Sequence, residues 1–245
     1  MCGRYASFRG AQDLADEFAL ASVADDVRLL APSWNVAPTD PVRMVVERPE
    51  RLEDGSHGAI ERTLRTARWG LVPSWAKDPG IGSRMINARA ETLLTKPAFK
   101  RAFALRRALL PADGYYEWQP PDSASGSTTK QPYFIHAPDG SPLAMAGLYE
   151  FWKNPTKAED DPERWLVSAT VITTTAVDEM GHVHDRQPVI LRPDRWDAWL
   201  DPAVDAEQAA TLLDSPLPRL ELTPVSTAVN KVGNDGPELI RPVAD

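Results

Sequence analysis

Twenty-three of the 245 residues are proline, scattered along the whole chain. Each one fixes φ, removes a backbone donor and biases the residue before it away from the helical region. Such a chain folds as many short elements joined by surface crossings. Between the prolines, β-branched and aromatic runs predict strands over 42–47, 60–69, 108–111, 132–136, 143–151, 165–175 and 188–191. Helices are fewer. Leu14 and Phe18 stand four apart with acids on the other side, which predicts an amphipathic helix within 11–20. Pro97 opens a second with Phe99 and Phe103 inward, Pro193 a third with Trp196, Trp199 and Leu200, and a fourth spans 206–213. Strands outnumber helices without strict alternation, which points to an α+β fold with largely antiparallel sheet. The polar stretches 120–129 and 153–164 lack apolar periodicity and read as long hairpin loops. Neither resembles an interdomain linker, so residues 1–245 are expected to form one domain.

With 42% hydrophobic residues the chain can bury a sizeable core. One cysteine excludes an internal disulfide and suits a reducing compartment. The start has no apolar signal region, and the longest apolar stretch, 143–149, is too short to cross a bilayer. A soluble, cytoplasmic protein is expected, with no membrane partner. The net charge of −8 ordinarily counts against nucleic acid. Its distribution matters more than its sum. Arg84, Arg89, Lys96, Lys100, Arg101, Arg106 and Arg107 face the single acid Glu91 between 84 and 107, while acids gather at 159–163 and 201–207. A basic run is commonly a solvated helix face, and it also permits an anionic ligand. There is no internal repeat and no phosphate-cradling glycine loop, and no cofactor is expected.

Cys2 is the only cysteine and directly follows Met1. Lone cysteines commonly serve as small buried hydrophobes, yet order and burial at a chain end have to be specially arranged. Removal of Met1 would leave Cys2 with an amine and a thiol on adjacent carbons. That pair can condense with an aldehyde to close a five-membered thiazolidine. The α-amine, with a reference pKa of about 7.7–8.0, is substantially unprotonated near neutrality. Intramolecular thiol addition then enjoys effective molarities of about 10⁵–10⁸ M.

Four islands place reactive or polar residues beside backbone punctuation. They are Met1-Cys2-Gly3-Arg4-Tyr5, Ile86-Asn87-Ala88-Arg89-Ala90-Glu91-Thr92, Ala112-Asp113-Gly114-Tyr115-Tyr116-Glu117-Trp118 and His184-Asp185-Arg186-Gln187-Pro188-Val189-Ile190-Leu191. In this order, and with Trp34-Asn35-Val36-Ala37-Pro38, Trp69-Gly70-Leu71-Val72-Pro73-Ser74-Trp75 and the segment 224–240, the chain resembles the SOS-response-associated peptidase (SRAP) family, also called abasic-site processing proteins. The resemblance spans almost the whole chain. It implies one SRAP domain with a mostly antiparallel, barrel-like sheet and flanking helices. It also implies covalent capture of abasic sites in single-stranded DNA through a Cys2 thiazolidine.

By the same resemblance Glu117 assists sugar-ring opening and imine chemistry, His184 holds or relays protons at the sugar, and Asn87 positions the amine and sugar. Arg4, Arg89 and Arg186 would contact phosphates, and Trp75 would stack on a base. A further basic contact of relatives falls on Pro97 here, so Lys96 or Lys100 would have to substitute. Gln187 stands where methionine or arginine is often found. Each residue also has a plainer reading. Glu117 is an exposed strand residue, or else is partly buried among Tyr115, Tyr116 and Trp118 with a raised pKa. Asn87 caps or turns the backbone, Trp75 packs in the core, and the arginines are surface residues. His182 and His184 would share one strand face, a spacing that suggests a metal, but zinc needs further ligands that the sequence does not cluster. Two other functions stay open: a cysteine peptidase with Cys2 as nucleophile and His184 as base, which removes its own Met1, and a noncatalytic single-strand-binding module. A lyase outcome at the imine stage is equally open. One lesion needs only a monomer, and replication partners are not legible.

Overall fold

In the computed structural model, which describes residues 2–51, 55–121, 128–177, 180–214 and 218–243, short elements follow one another closely. The chain begins with β1 (Tyr5–Ser7), α1 (Ala11–Glu17), β2 (Ser22–Val23), α2 (Asp25–Arg28), β3 (Ser33–Val36), β4 (Pro41–Arg51) and β5 (His57–Trp69). It continues through β6 (Asn87–Arg89), α3 (Pro97–Leu105), β7 (Arg107–Ala112), β8 (Gly114–Gln119), β9 (Gln131–His136), β10 (Leu143–Lys153) and β11 (Trp165–Thr175). Last come α4 (Met180–Val183), β12 (Arg186–Pro188), α5 (Pro193–Leu200), α6 (Ala206–Leu212) and β13 (Glu221–Pro224). The architecture is α+β. No described helix is long and apolar enough to cross a membrane.

Alternation along the central strands divides their side chains between two cores. Val45, Leu64, Leu109, Ala146, Leu148 and Ile172 face one side, where α1, α3, α5 and α6 bring Leu14, Phe18, Phe99, Phe103, Trp196, Trp199 and Leu212. Met44, Val46, Trp69, Ala108, Leu110, Met145 and Val171 face the other, where Cys2, Tyr5 and Tyr115 are packed. Strands buried on both faces carry near-continuous apolar sequence, which is why 108–112 of β7 and 143–149 of β10 read as hydrophobic runs.

The larger sheet has the order β12-β11-β10-β7-β4-β5-β2, with β6 added beside β11. It curls so far that β5 meets β11 in parallel at Arg68–Ser168 and Trp69–Ala169. That seam is two residue pairs long, so the sheet is strongly coiled rather than closed along its length. A second, antiparallel sheet runs β13-β9-β8-β1-β3 and carries the first residues of the chain into the core. The strand expected over 188–191 lies earlier, at Arg186–Pro188, and only Ile190 adds an isolated bridge to Met145.

Prolines at the first turn start α3 and α5 as expected. Both loops expected between strands connect antiparallel neighbours, β8 to β9 and β10 to β11; residues 122–127 of the first lie outside the described residues. The basic run is only partly solvated. Arg107 is buried and donates to the carbonyls of Phe103, Trp199, Asp201 and Val204 at 2.6–3.1 Å, which joins β7 to the ends of α3 and α5. Burial without a carboxylate partner costs free energy that these hydrogen bonds offset.

Candidate active site

Cys2 lies just ahead of β1, fully buried, with a free thiol. Burial pushes that thiol well above its ordinary range, and Glu117 raises it further. In the neighbouring pairing, Tyr5 of β1 stands opposite Tyr115 of β8. Residues two apart on a strand share a face, so Tyr115 and Glu117 project together toward the core that holds Cys2. Glu117 is 2% exposed, which overturns its reading as an exposed strand residue. Burial pushes its carboxyl from 4.5 up to about 7, and the Asp185 carboxylate adds to the effect.

Asn87 opens β6, opposite Val171 of β11. Its position is set by the preceding turn. Gly70 has φ +121°, and a Cβ there would sit 2.5 Å from the Gly82 carbonyl, so only glycine lets the two segments approach. Trp69 Nε1 and the Val171 amide then both donate to the Ile86 carbonyl, at 3.0 and 3.1 Å. Held this way, Asn87 Nδ2 donates to the Cys2 carbonyl at 2.7 Å. Among the described residues its buried Oδ1 has no protein partner, and neither do the buried hydroxyls of Tyr5 and Tyr115.

His184 follows α4 and precedes β12, and its side chain is 29% exposed. The Arg186 amide donates to Nδ1 at 2.9 Å, which selects the neutral tautomer protonated at Nε2. Asp185 Oδ1 stands 2.9 Å from the same nitrogen, a contact that competes with the amide and rewards only a ring protonated at Nδ1. Burial holds the His184 pKa below its ordinary value. His182 sits in the helical turn Met180–Val183, so the two histidines do not share a strand face as expected.

The expected DNA contacts fall into different settings. Trp75 is 61% exposed, which overturns its reading as core. Arg89 is exposed on β6. Arg186 is mostly buried and grips Glu91 with both Nη atoms, at 2.7 and 3.0 Å, while Nη2 also donates to the Thr173 carbonyl. Arg4 is buried and donates from Nη1 to Asn35 Oδ1 at 2.7 Å and to the Val229 carbonyl at 2.9 Å. Lys100 is exposed at the start of α3, and Lys96, also exposed, has its Nζ 5.5 Å above the Phe99 ring.

The profile of the SOS response associated peptidase (SRAP) family matches residues 1–232. This chain belongs to the SRAP family. It is 37% identical to the abasic site processing protein YoqW of Bacillus subtilis over 242 residues, 98% of this chain and 99% of that one. The abasic site processing protein YedK of Escherichia coli is 32% identical over 253 residues, covering 99% of this chain and all of its own. An X-ray structure of a protein from Bacteroides thetaiotaomicron has the same fold, with a TM-score of 0.78 at 21% identity, over 99% of this chain and 100% of that one.

Within this SRAP chain several of the sequence islands act as scaffold. Asn35 Nδ2 donates to the carbonyls of Lys231 and Asn234, Trp34 N donates to Asp235 Oδ1, and Tyr116 and Trp118 donate to the Trp34 carbonyl and Asn230 Oδ1. These bonds fasten the segment after β13 to the sheet that positions Cys2. Sequence reasoning passed over Tyr5, the cross-strand partner of Tyr115. It also passed over the Glu91–Arg186 pair, whose members are far apart in the chain.

Proposed function

We propose that this protein captures abasic sites in single-stranded DNA by closing a thiazolidine on Cys2. The observation that carries the reading is the Asn87 hydrogen bond to the Cys2 carbonyl, in a core shared with a carboxyl whose pKa is about 7. The names of its SRAP relatives, abasic site processing proteins, support the substrate.

Hydrolysis of the Met1–Cys2 bond frees the amine. The nitrogen attacks C1′ of the ring-opened deoxyribose, and the resulting carbinolamine loses one water to give an imine. Sulfur then adds to the same carbon while the thiol proton passes to nitrogen, so aldehyde and aminothiol give thiazolidine and water. A carboxyl near neutral pKa can both protonate the departing hydroxyl and accept the thiol proton. Glu117 takes that role. His184, neutral and protonated at Nε2, serves the proton transfers at the sugar. The carbonyl tether from Asn87 holds the amine in place, which is where orientation contributes most.

Arg89 and Trp75 supply the outward phosphate and base contacts, Arg186 joins when a phosphate replaces Glu91, and Arg4 braces the floor of the site. A general cysteine peptidase fits less well. It needs a resting thiolate, whereas burial drives this thiol the other way. In the imine route the thiol reacts only once a cationic iminium stands beside it, which favours the thiolate. Peptidase action is thus confined to loss of Met1.

Incubation with an oligonucleotide bearing one abasic site should give an adduct that survives denaturing electrophoresis, with Cys2 modified and Met1 absent by mass spectrometry. Cys2→Ala should leave at most an imine that appears only after borohydride reduction. Retention of Met1 on the crosslinked protein, or an equally stable Cys2→Ala adduct, overturns the reading.

A further inference from the structure

Away from Cys2, a cleft of about 520 Å³ opens between β4, α3, and the β10–β11 hairpin, lined by Arg48, Ser74, Arg101, Arg106, Phe151 and Trp165 among others. Its size falls in the range of about 300–1,000 Å³ found for small-molecule sites. The guanidinium carbons of Arg48 and Arg106 stand 4.9 and 5.6 Å from the centroid of the same Phe151 ring. Among the described residues only Arg106 of the three arginines has a carboxylate partner, Glu150 Oε1 at 2.7 Å, and Glu150 also lines the cleft. Arg48 and Arg101 make no ion pair among the described residues. With Arg106 neutralised by Glu150, Arg48 and Arg101 leave uncompensated positive charge in the cleft, which an anion would neutralise.

At the rim, Trp165 is 54% exposed and pairs across the hairpin with Lys153, whose Nζ lies 6.0 Å above the indole. A planar aromatic surface beside several cations is the combination that holds a base together with its phosphate. Ser74 in the wall adjoins the exposed Trp75. Val167, also in the wall, lies four residues along β11 from Val171, the partner of Asn87. At about 3.3 Å per residue that separation is about 13 Å.

We propose that this cleft is an accessory site for a nucleoside phosphate unit, with the base on Trp165 and the phosphate between Arg48, Arg101 and Arg106. The proposal rests on the single-strand reading above for its ligand, a flanking nucleotide of the captured strand. A free nucleotide has the same chemistry, and the test separates the two sources.

The test measures anisotropy of a fluorescent oligothymidylate without abasic sites, across a salt series, with wild type and Arg48→Ala, Arg101→Ala and Trp165→Ala. Each arginine variant should flatten the dependence of log K on log salt, by at most about 0.7, the value of one single-strand phosphate contact. Trp165→Ala should weaken binding about fivefold or more with little change in slope. Thymidine monophosphate that competes at the same variants would assign the site to free nucleotides as well; competition only by oligonucleotides assigns it to the strand. Wild-type affinity and slope in all three variants would overturn the proposal, as would displacement by an acidic peptide with no response to either nucleic acid. Crosslinking of a very short abasic oligonucleotide, which cannot reach the cleft, should be unchanged in every variant. Loss of that activity in wild type would instead count against the capture reading.

Discussion

Asn87 Nδ2 donates to the carbonyl of Cys2 across 2.7 Å, joining residues that lie 85 positions apart in the chain. The bond holds Cys2 through its carbonyl and uses neither the nitrogen nor the thiol that the proposed reaction needs. Asn87→Ala should therefore cost little stability, about 1 kcal/mol for one part-buried hydrogen bond. It should slow single-turnover adduct formation far more, by about 10²-fold, because misplacement of a reacting group is heavily penalised. Thermal unfolding beside a timed denaturing gel separates the two effects, and equal losses in both would show that Asn87 is merely structural.

Glu117 links stability to pH in a definite direction. Its folded pKa of about 7 lies above the ordinary 4.5, so the folded state keeps a proton that the unfolded chain releases. The stability tied to the neutral carboxyl is fully present below about pH 4.5 and is lost as pH rises through about 7, an effect on the order of 3 kcal/mol. Glu117→Gln removes that slope. Its melting temperature should rise relative to wild type between about pH 5 and about pH 8, while adduct formation slows and loses its inflection near neutrality. A variant that melts in parallel with wild type at every pH would show that the carboxyl is not perturbed.

Arg186 is already engaged within the protein, since both of its Nη atoms meet Glu91. The pairing holds the Glu91 carboxyl below its ordinary range. Glu91 is 48% exposed, so the pair contributes at most about 1 kcal/mol to stability. Glu91→Gln should free the guanidinium for a phosphate without unfolding the protein. Single-stranded DNA should then bind more tightly, with a log K against log salt slope steeper by about 0.7. An unchanged slope would remove Arg186 from the phosphate contacts.

Elements whose signals are local were legible in the sequence. Pro97 and Pro193 announce helices because proline at the first turn costs no hydrogen bond, and β11 was bounded correctly because its apolar run is long and β-branched. β6 is different. Asn87–Arg89 becomes a strand only because β11, far along the chain, offers it a parallel partner. The residues proposed to carry the chemistry stand out only through resemblance to a family, and their surroundings were not legible. Nothing local distinguishes Arg107, which is buried and structural, from Arg89, which is exposed. The same limit applies to Arg4 and Asn35, whose pairing depends on the return of the segment around Val229.

Gln187 is 1% exposed, and neither end of its amide has a protein partner among the described residues. A buried amide without hydrogen bonds loses about 1–3 kcal/mol of solvation. Gln187→Met keeps the length of the side chain and removes the polar atoms. Chemical denaturation should show a variant more stable by about 1 kcal/mol, with unchanged crosslinking. If adduct formation falls instead, the amide is engaged with the bound sugar or its phosphate.

Tyr115 separates the steps of the proposed reaction. Its hydroxyl is buried with no protein partner among the described residues, and burial together with the neighbouring Cys2 and Glu117 keeps the phenol protonated well above its ordinary range. A protonated phenol in the core that holds a reacting thiol can donate a hydrogen bond to sulfur as negative charge develops there, and such preorganised donors act most strongly where water is excluded. Tyr115→Phe should leave stability unchanged or slightly raised, because an unpaired hydroxyl is removed. Imine formation, read as adduct trapped by borohydride at early times, should proceed at the wild-type rate. Conversion to the borohydride-independent adduct should slow by about tenfold or more. Slowing of both stages together would place the hydroxyl at the amine or sugar, and no slowing of either would leave Tyr115 as packing for Cys2 alone.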